Sequence, residues 1–302
     1  MTILHALAPS MTDDEPDFER RFGGIGRLYG RAALARFRAA HVAVVGVGGV
    51  GSWIVEALAR SAIGQLTLID LDNVSESNIN RQIQALGNTI GQAKIDALAE
   101  RIALINPQCR VNLVEQFIDA GNLEQLLGGA GLDYVVDAID SVKDKAALIA
   151  WCRERQLPLV TIGSAGGQID PTQVAMRDLA RTEQEPLLKM VRKRLRSAYG
   201  FPRGEKTRFH VDAVFSMERL RQPDDGPVCA IDADAAAGAA AADGAVAATA
   251  GVSGLNCAGY GSSMAVTATF GMFAAAHVLR RLSGLDPAAD GAASGTGNGL
   301  AN

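Results

Sequence analysis

The stretch "VVGVGGVGSW", Val44 to Trp53, decides the fold of this chain. Gly46, Gly48 and Gly51 give it the spacing G-x-G-x-x-G, directly after an apolar run and directly before an amphipathic segment. A strand, a glycine turn and a helix in this order form a phosphate-binding unit of doubly wound α/β sheets. The stretch therefore predicts a cradle for a phosphate-bearing compound, and by itself leaves open whether that compound is a nicotinamide dinucleotide or ATP.

Apolar runs alternate with amphipathic segments along the first half of the chain. The predicted strands are residues 42–46, 65–70, 111–117, 133–140 and 158–163, and the predicted helices are 50–62, 91–107, 123–127 and 142–155. This alternation predicts an α/β fold with a mainly parallel, doubly wound sheet and right-handed crossovers. Beyond Gly163 the pattern is less regular, with candidate strands at 172–176 and 209–216.

The composition is that of a globular protein without a strong charge bias. The 302 residues are 48% apolar and 21% charged, and the net charge is −4, so a nucleic-acid surface would have to be local. The four cysteines form no C-x-x-C pair, and the N-terminus lacks the pattern of a signal peptide, which predicts a cytoplasmic protein. Residues 263–279 are nearly uncharged but short for a membrane span. They predict a helix in the core or against a second copy of the chain, with membrane association as the alternative.

Polar residues that follow the predicted strands favour ATP over a nicotinamide cofactor. Asp70 closes the second strand 19 residues after Gly51, where a carboxylate can bind ribose hydroxyls. Several amides and Arg81 follow it in "DLDNVSESNINRQ", Lys94 opens the next helix, and Asp140 ends the fourth strand. Cations suit a triphosphate, because charge builds on the attacked phosphorus and on the leaving pyrophosphate. Asp140 is a candidate ligand for Mg²⁺.

The motifs "GVGGVG", "LIDLD", "SNINRQ", "GQAK" and "DAIDS", in this order, resemble the ThiF/MoeB/HesA group of adenylating enzymes, which are related to ubiquitin-activating enzymes. The resemblance implies a Rossmann-like fold, a homodimer, and the use of ATP and Mg²⁺ to convert a carboxylate into an acyl-adenylate. It implies that Arg21, Arg81, Lys94 and Asp140 are catalytic, Asp140 as the metal ligand. Arg21 would reach across the dimer to the partner's ATP, with Arg27 as the alternative. The residues that it implies for ATP binding are Gly46, Gly48, Gly49, Gly51, Asp70, Asp72, Ser77, Asn78, Arg81, Lys94, Asp140 and Ser141.

Longer motifs, among them "RFGGIGRLYG", "INRQIQAL", "GSAGGQIDPTQV" and "VTATFG", resemble one branch of that group, the tRNA threonylcarbamoyladenosine dehydratases. This resemblance implies an ATP-dependent cyclisation of threonylcarbamoyladenosine beside the anticodon of tRNA, with release of AMP and pyrophosphate. It also implies contacts with a cysteine desulfurase and its sulfur-acceptor protein. The alternative is an adenylyltransferase that activates the C-terminus of a ubiquitin-like sulfur carrier. The absence of paired zinc cysteines in the sequence argues against that alternative. Whether a monovalent cation, Na⁺ or K⁺, binds as well stays open.

A second signal for RNA lies in the second half of the chain. The range from Lys189 to Arg208 contains eight basic residues and one acidic residue, Glu205. This local excess of positive charge predicts a phosphate-binding surface. The predicted tRNA-binding residues are Lys189, Arg192, Lys193, Arg194 and Arg196, and Tyr199 and Phe201 are candidates for stacking on an exposed base. Cys229 and Cys257 are candidate nucleophiles, although buried apolar roles are commoner for cysteine.

These inferences predict one domain with two flanking segments. Residues 1–20 form a flexible arm, residues 21–165 the ATP-binding adenylation core, and residues 166–283 the C-terminal half of the same domain on the tRNA side. That half includes an Ala/Gly-rich insertion at 233–252, and residues 284–302 form a disordered tail.

Overall fold

The computed structural model describes residues 17–204, 207–221 and 260–285. The strands are β1 (His41–Val45), β2 (Gln65–Ile69), β3 (Arg110–Val114), β4 (Tyr134–Asp137), β5 (Leu159–Ile162), β6 (Val174–Asp178) and β7 (Asp212–Ser216). The helices are α1 (Phe18–Tyr29), α2 (Arg31–Ala39), α3 (Gly51–Ala59), α4 (Lys94–Ile105), α5 (Leu123–Leu127), α6 (Val142–Glu154), α7 (Pro186–Ala198) and α8 (Met264–Ser283).

The seven strands form one sheet in the order β3-β2-β1-β4-β5-β7-β6. All neighbours pair in parallel except β6 and β7, which are antiparallel. The order reverses between β1 and β4, so the crevice where such sheets bind ligands lies at the carboxyl ends of these two strands. The predicted doubly wound, mainly parallel α/β sheet is confirmed.

Alternate residues of the sheet face two separate hydrophobic cores, which makes the molecule three-layered. Val42 and Val44 of β1 pack in the core formed with α3, α4 and α8. Ala43 and Val45 of the same strand pack in the core formed with α5, α6 and α7. A parallel sheet covered on both faces explains the nearly continuous apolar run of β1.

The C-terminal half completes the sheet rather than forming a unit of its own. The two less regular strands, β6 and β7, extend the sheet beyond β5. Helix α8, which contains the nearly uncharged residues 264–279, packs against α3 and α2, and its Val266, Phe270 and Val278 are fully buried. A core helix is therefore the correct interpretation of this segment. In the part of the chain that the structure describes, no helix has the length and hydropathy needed to cross a membrane.

Several predicted element boundaries were wrong by a few residues. Helix α1 begins at Phe18, inside the segment predicted as a flexible arm, because the Asp17 carboxylate accepts the backbone N–H groups of Glu19 and Arg20 and caps the helix. Helix α3 ends at Ala59 rather than at Ala62, which has a φ of 65° and cannot continue the helix. The Ala/Gly-rich insertion and most of the predicted tail lie outside the described residues.

Candidate active site

The glycine turn fits closely against the end of β4. Gly46 has a φ of 83°, and a Cβ there would lie 2.8 Å from the carbonyl oxygen of Ala138. A Cβ on Gly51 would lie 1.9 Å from the carbonyl oxygen of Gly46. At Gly48, by contrast, the nearest described atom would be 3.9 Å away, on Gln82. Gly46 and Gly51 therefore allow the turn to form, and Gly48 leaves open space in front of the N-terminus of α3, where phosphates bind.

Asp70 lies at the carboxyl end of β2 and is buried. Its Oδ2 accepts the N–H of Val47 at 2.8 Å, and its Oδ1 accepts the N–H of Asp72 at 2.9 Å. Burial raises the pKa of Asp70, against the charge of Lys94, which lowers it. The carboxylate therefore fixes the glycine turn, a role that the sequence analysis did not predict. Ribose binding by the same carboxylate stays a prediction.

Lys94 is the first residue of α4 and is buried. Its Nζ lies 2.7 Å from Oδ2 of Asp72, and its backbone N–H donates to the carbonyl of Asp72 at 3.0 Å. Asp72 is exposed, so the ion pair holds the ammonium at the mouth of the crevice. The structure thus brings Lys94, Asp70 and Asp72 together as predicted.

Arg81 lies against the glycine turn. A Cβ on Gly49 would be 3.4 Å from Cδ of Arg81. The guanidinium donates to the carbonyl of Ser77 at 2.6 Å and to Oδ1 of Asn80 at 3.1 Å, and the side chain is partly exposed. A cation therefore stands beside the space that Gly48 leaves open.

Two residues that the sequence analysis missed hold the backbone of Arg81. The indole N–H of Trp53 donates to the Arg81 carbonyl at 2.9 Å, and the hydroxyl of Thr267 on α8 lies 3.4 Å from the same oxygen. Trp53 ends the glycine-rich stretch itself, so its position was a usable signal. Thr267 is 186 residues from Arg81, and only the packing of α8 on α3 brings it there.

The other predicted ATP ligands differ in how free their side chains are. Ser77 is exposed, whereas Asn78 is buried and its Oδ1 accepts the N–H of Ser75 at 3.1 Å. Ser141 caps α6, and its hydroxyl donates to Asp144 at 2.6 Å. Asn78 and Ser141 thus shape their loops. ATP contacts by these residues stay predictions.

Asp140 follows β4 and its side chain is exposed. It is two residues from Ala138, which contacts the glycine turn, so it lies on the carboxyl edge of the sheet. Within the described ranges no three His, Cys, Asp or Glu side chains form a metal-binding group. A single free carboxylate fits Mg²⁺, because this ion is commonly held by one or two carboxylates together with substrate phosphates and water.

The sequence analysis also missed a buried ion pair beneath the site. Asp137, the last residue of β4, and Lys145 of α6 are both fully buried, with Nζ 2.9 Å from Oδ2. Lys145 also donates to Thr161 at 3.1 Å, and the hydroxyl of Thr161 donates to Asp137 at 2.6 Å. Burial raises the pKa of Asp137, against the neighbouring ammonium of Lys145. An isolated aspartate and lysine in a sequence give no sign that they pair.

Arg21 lies far from the crevice of its own chain. Its guanidinium donates to the carbonyls of Leu104 and Ile105, both at 2.8 Å, at the end of α4. That end leads into the start of β3 and therefore lies at the opposite edge of the sheet. With Phe22, Arg60 and Arg101 these residues line a cavity of about 480 Å³. Arg21 cannot serve its own site from this position, so a role in ATP binding requires a second chain. Arg27, the alternative, is also exposed on α1.

The predicted tRNA-binding residues lie on α7, and they are not equally available. Lys189 and Lys193 are exposed, whereas Arg192 is half-buried and donates to the hydroxyl of Thr182. Arg194 and Arg196 are also partly buried.

The prediction that Phe201 stacks on a base was wrong. Phe201 is buried, with its ring 4.9 Å from that of Phe209 and the guanidinium of Arg153 over its face. Tyr199 packs partly against the same core. Cys229 and Cys257 lie outside the described residues.

The family of the chain follows from comparison with known proteins. The model of the ThiF family matches residues 24–295. The chain belongs to the ThiF family. The tRNA threonylcarbamoyladenosine dehydratases of Haemophilus influenzae and Escherichia coli are 48% and 49% identical to it over 267 residues, which are 88% of this chain and 94% of each relative.

A solved structure extends the likeness to three dimensions. The E. coli dehydratase in complex with ATP matches with a TM-score of 0.76 at 45% identity, over 92% of this chain and 99% of that chain. The resemblance of the motifs to the dehydratase branch of the ThiF family is thus confirmed over most of the sequence.

Proposed function

We propose that this protein catalyses the ATP-dependent dehydration of threonylcarbamoyladenosine in tRNA. The observation that carries the proposal is the convergence of Arg81, Lys94 and Asp70 on the glycine turn, in a chain nearly half identical to two dehydratases of that name along nine-tenths of its length. Two cations and an open glycine turn suit a triphosphate that is consumed, whereas a nicotinamide cofactor needs no such charge.

The reaction needs ATP because a carboxylate does not lose its oxygen as hydroxide in water. An oxygen of the threonyl carboxylate attacks the α-phosphorus, the bond to the β-phosphate oxygen breaks, and pyrophosphate leaves. A nitrogen or oxygen of the same modified nucleoside then attacks the acyl carbon, loses its proton, and expels AMP. During these reaction steps Arg81 and Lys94 stabilise the charge that develops on the phosphates. No protein nucleophile is required for the second step.

Asp140 is the residue that would hold Mg²⁺. The metal, when bound, neutralises phosphate charge, and the exposed carboxylate at the end of β4 is free to take part. Mg²⁺ binding at Asp140 is therefore part of the proposal, and so is the homodimer that Arg21 or Arg27 needs in order to act. A monovalent cation, a cysteine desulfurase and its sulfur acceptor stay predictions.

Helix α7 is the surface that we assign to the tRNA backbone. Its basic side chains concentrate positive charge in a chain whose net charge is −4. Contacts with phosphates weaken as salt rises, because they release counterions from the nucleic acid. Lys189 and Lys193 are the best probes, since both side chains are exposed on α7.

The decisive experiment incubates the purified protein with ATP and with tRNA that carries or lacks the threonylcarbamoyl group, and measures AMP. We expect AMP only with the modified tRNA. Equal AMP release with both tRNAs, or release driven by a sulfur-carrier protein instead, would refute the proposal. In the same assay Lys189→Ala/Lys193→Ala should raise KM for tRNA and leave ATP affinity unchanged. The control is Arg110→Ala, which removes an exposed positive charge at the start of β3, on the edge of the sheet opposite the site.

A further inference from the structure

Glu185 is a buried carboxylate that joins two separate parts of the molecule. Its Oε1 accepts the N–H of Ser164 at 2.9 Å and that of Leu187 at 3.2 Å, and its Oε2 accepts the N–H of Leu188. Leu187 and Leu188 belong to the first turn of α7, so Glu185 caps that helix. Ser164 lies elsewhere, just beyond β5, on the edge of the sheet that carries Asp140.

The loop that begins at Ser164 is held from several sides. The N–H of Gly167 donates to the carbonyl of Gly261, and the N–H of Arg221 donates to the carbonyl of Gly167, both at 2.9 Å. A side chain at Gly163 would crowd Glu185, because a Cβ there would lie 3.0 Å from Cγ and Cδ of Glu185. The loop therefore takes its position from Glu185 at one end and from the chain before α8 at the other.

The cost of burying Glu185 argues that it does more than cap a helix. The positive charge of Lys145 acts on Glu185, and Lys145 is itself paired with Asp137. Three charged groups are therefore buried together under the carboxyl edge of the sheet. Burial raises the pKa of Glu185, against the three backbone N–H donors. A serine caps a helix without the cost of burying a carboxylate. What a glutamate adds is reach: its longer side chain spans from the helix to Ser164.

We infer that Glu185 is a positioning residue, which holds the loop from Ser164 to Gln168 in register with the first turn of α7. This inference rests on the proposed function. A tRNA whose backbone lies on α7 then presents its modified nucleoside to a loop fixed relative to that helix, so that the threonyl carboxylate meets the α-phosphorus of ATP in one orientation. Orientation of this kind acts on turnover rather than on affinity, because both substrates keep their own contacts.

The test is Glu185→Asp in the full-length protein. Aspartate keeps the charge and the cap but is one methylene too short to reach Ser164 as well. We expect kcat for AMP release with modified tRNA to fall by about tenfold or more. KM for tRNA and the affinity for ATP should stay close to those of the wild-type protein, and the melting temperature should fall by no more than in the Asp178→Asn control described below. Unchanged kcat in a folded variant overturns the inference.

A second pair of variants separates positioning from stability. Glu185→Gln should also lower kcat. Asp178→Asn removes the charge from another cap, a partly buried one, whose carboxylate accepts the N–H of Ala180 and those of Phe209 and His210 far along the chain. We expect this control to lower the melting temperature without changing kcat. If Asp178→Asn lost as much kcat as the Glu185 variants, or if neither Glu185 variant folded, the role of Glu185 would be stability alone. Wild-type protein that releases no AMP would instead refute the proposed function.

Discussion

At the scale of single residues, the glycines of the turn have distinct roles that one change at a time can separate. Gly48→Ala places a methyl group in space that no described atom occupies within 3.9 Å, so the variant should fold normally. The methyl group takes the space of a phosphate, and we expect ATP affinity to fall by roughly tenfold or more. Titration calorimetry with ATP measures this change. Retained affinity would show that phosphates do not lie over Gly48.

Gly51→Ala should instead lower the stability of the fold. Its Cβ would lie 1.9 Å from the carbonyl oxygen of Gly46, so the turn must open and the free energy of unfolding should fall by ~1–3 kcal/mol or more. The control for both variants is Gly87→Ala, because a Cβ at Gly87 meets no described atom within 4 Å. Thermal melting distinguishes the three proteins. A melting temperature of Gly51→Ala equal to that of the control would contradict the close approach.

The two tryptophans of the chain offer a matched pair of substitutions. Trp53→Phe keeps the ring and removes the donor to the Arg81 carbonyl, whereas Trp151→Phe removes a comparable donor, to Glu124 at 3.0 Å, far from the site. We expect kcat for AMP release to fall by roughly tenfold in Trp53→Phe alone, because a shift of about 1 Å in a positioned cation is enough for such a loss. Equal kcat in the two variants would mean that Trp53 does not position Arg81.

At the scale of secondary-structure elements, α3 and α4 are joined by one buried acid. Glu56 of α3 accepts Nε of Arg60 at 2.8 Å and both Nε and Nη2 of Arg101 on α4 at 3.0 Å. Burial by itself would raise the pKa of Glu56, but the hydrogen bonds from Arg101 and Arg60 lower it below its ordinary value. The carboxylate therefore helps to fix α4, whose first residue is Lys94.

Glu56→Gln should accordingly destabilise the protein in a pH-dependent way. The contribution of a carboxylate with a lowered pKa is complete above the ordinary pKa of glutamate and is lost as pH falls through the folded-state value. We expect a loss of ~1–3 kcal/mol at pH 7 that shrinks as the medium is acidified below the ordinary value. Urea unfolding across this range measures it, with the exposed Glu100→Gln as the control. A difference that stays constant with pH would contradict the charge-based explanation.

The elements themselves were largely predictable, and the reason is periodicity. Strands β1, β2, β4 and β5 are apolar because helices cover both faces of the sheet, and Ile95, Leu98 and Ile102 of α4 recur at helical spacing because one face is buried. The boundaries were less accurate, as at α3, because backbone angles such as the positive φ of Ala62 are not visible in a hydrophobic pattern.

At the scale of the whole molecule, the position of Arg21 makes the active site a property of two chains or leaves this arginine out of it. Mixing Arg21→Ala with Lys94→Ala distinguishes these two possibilities, because each variant alone should be inactive. If Arg21 acts on the partner, each mixed dimer has one intact site, and an equal mixture that exchanges subunits should regain about a quarter of wild-type activity. The same mixture made with Arg27→Ala tests the alternative arginine.

No recovery in either mixture would exclude an arginine shared across the dimer, once native mass spectrometry has detected the mixed dimer. Mixing Lys94→Ala with Asp140→Asn is the control. In the proposed site Lys94 and Asp140 both serve their own chain, so this mixture should regain no activity.

The sequence by itself determined the doubly wound fold and the glycine turn, and it placed Asp70, Arg81, Lys94 and Asp140 at one edge of the sheet, because strand, turn and helix are local patterns and parallel strands bring their carboxyl ends together. The roles of these four residues stay predictions. Only the tertiary structure decided which side chains are free. In the folded chain Phe201 is buried and Arg192 donates a hydrogen bond to Thr182. Three further contacts join Asp137 to Lys145, Trp53 to Arg81 and Glu185 to Ser164. These contacts form where separate layers of the fold pack together. A contact between distant segments produces no periodic pattern in the sequence, so the sequence alone cannot reveal it.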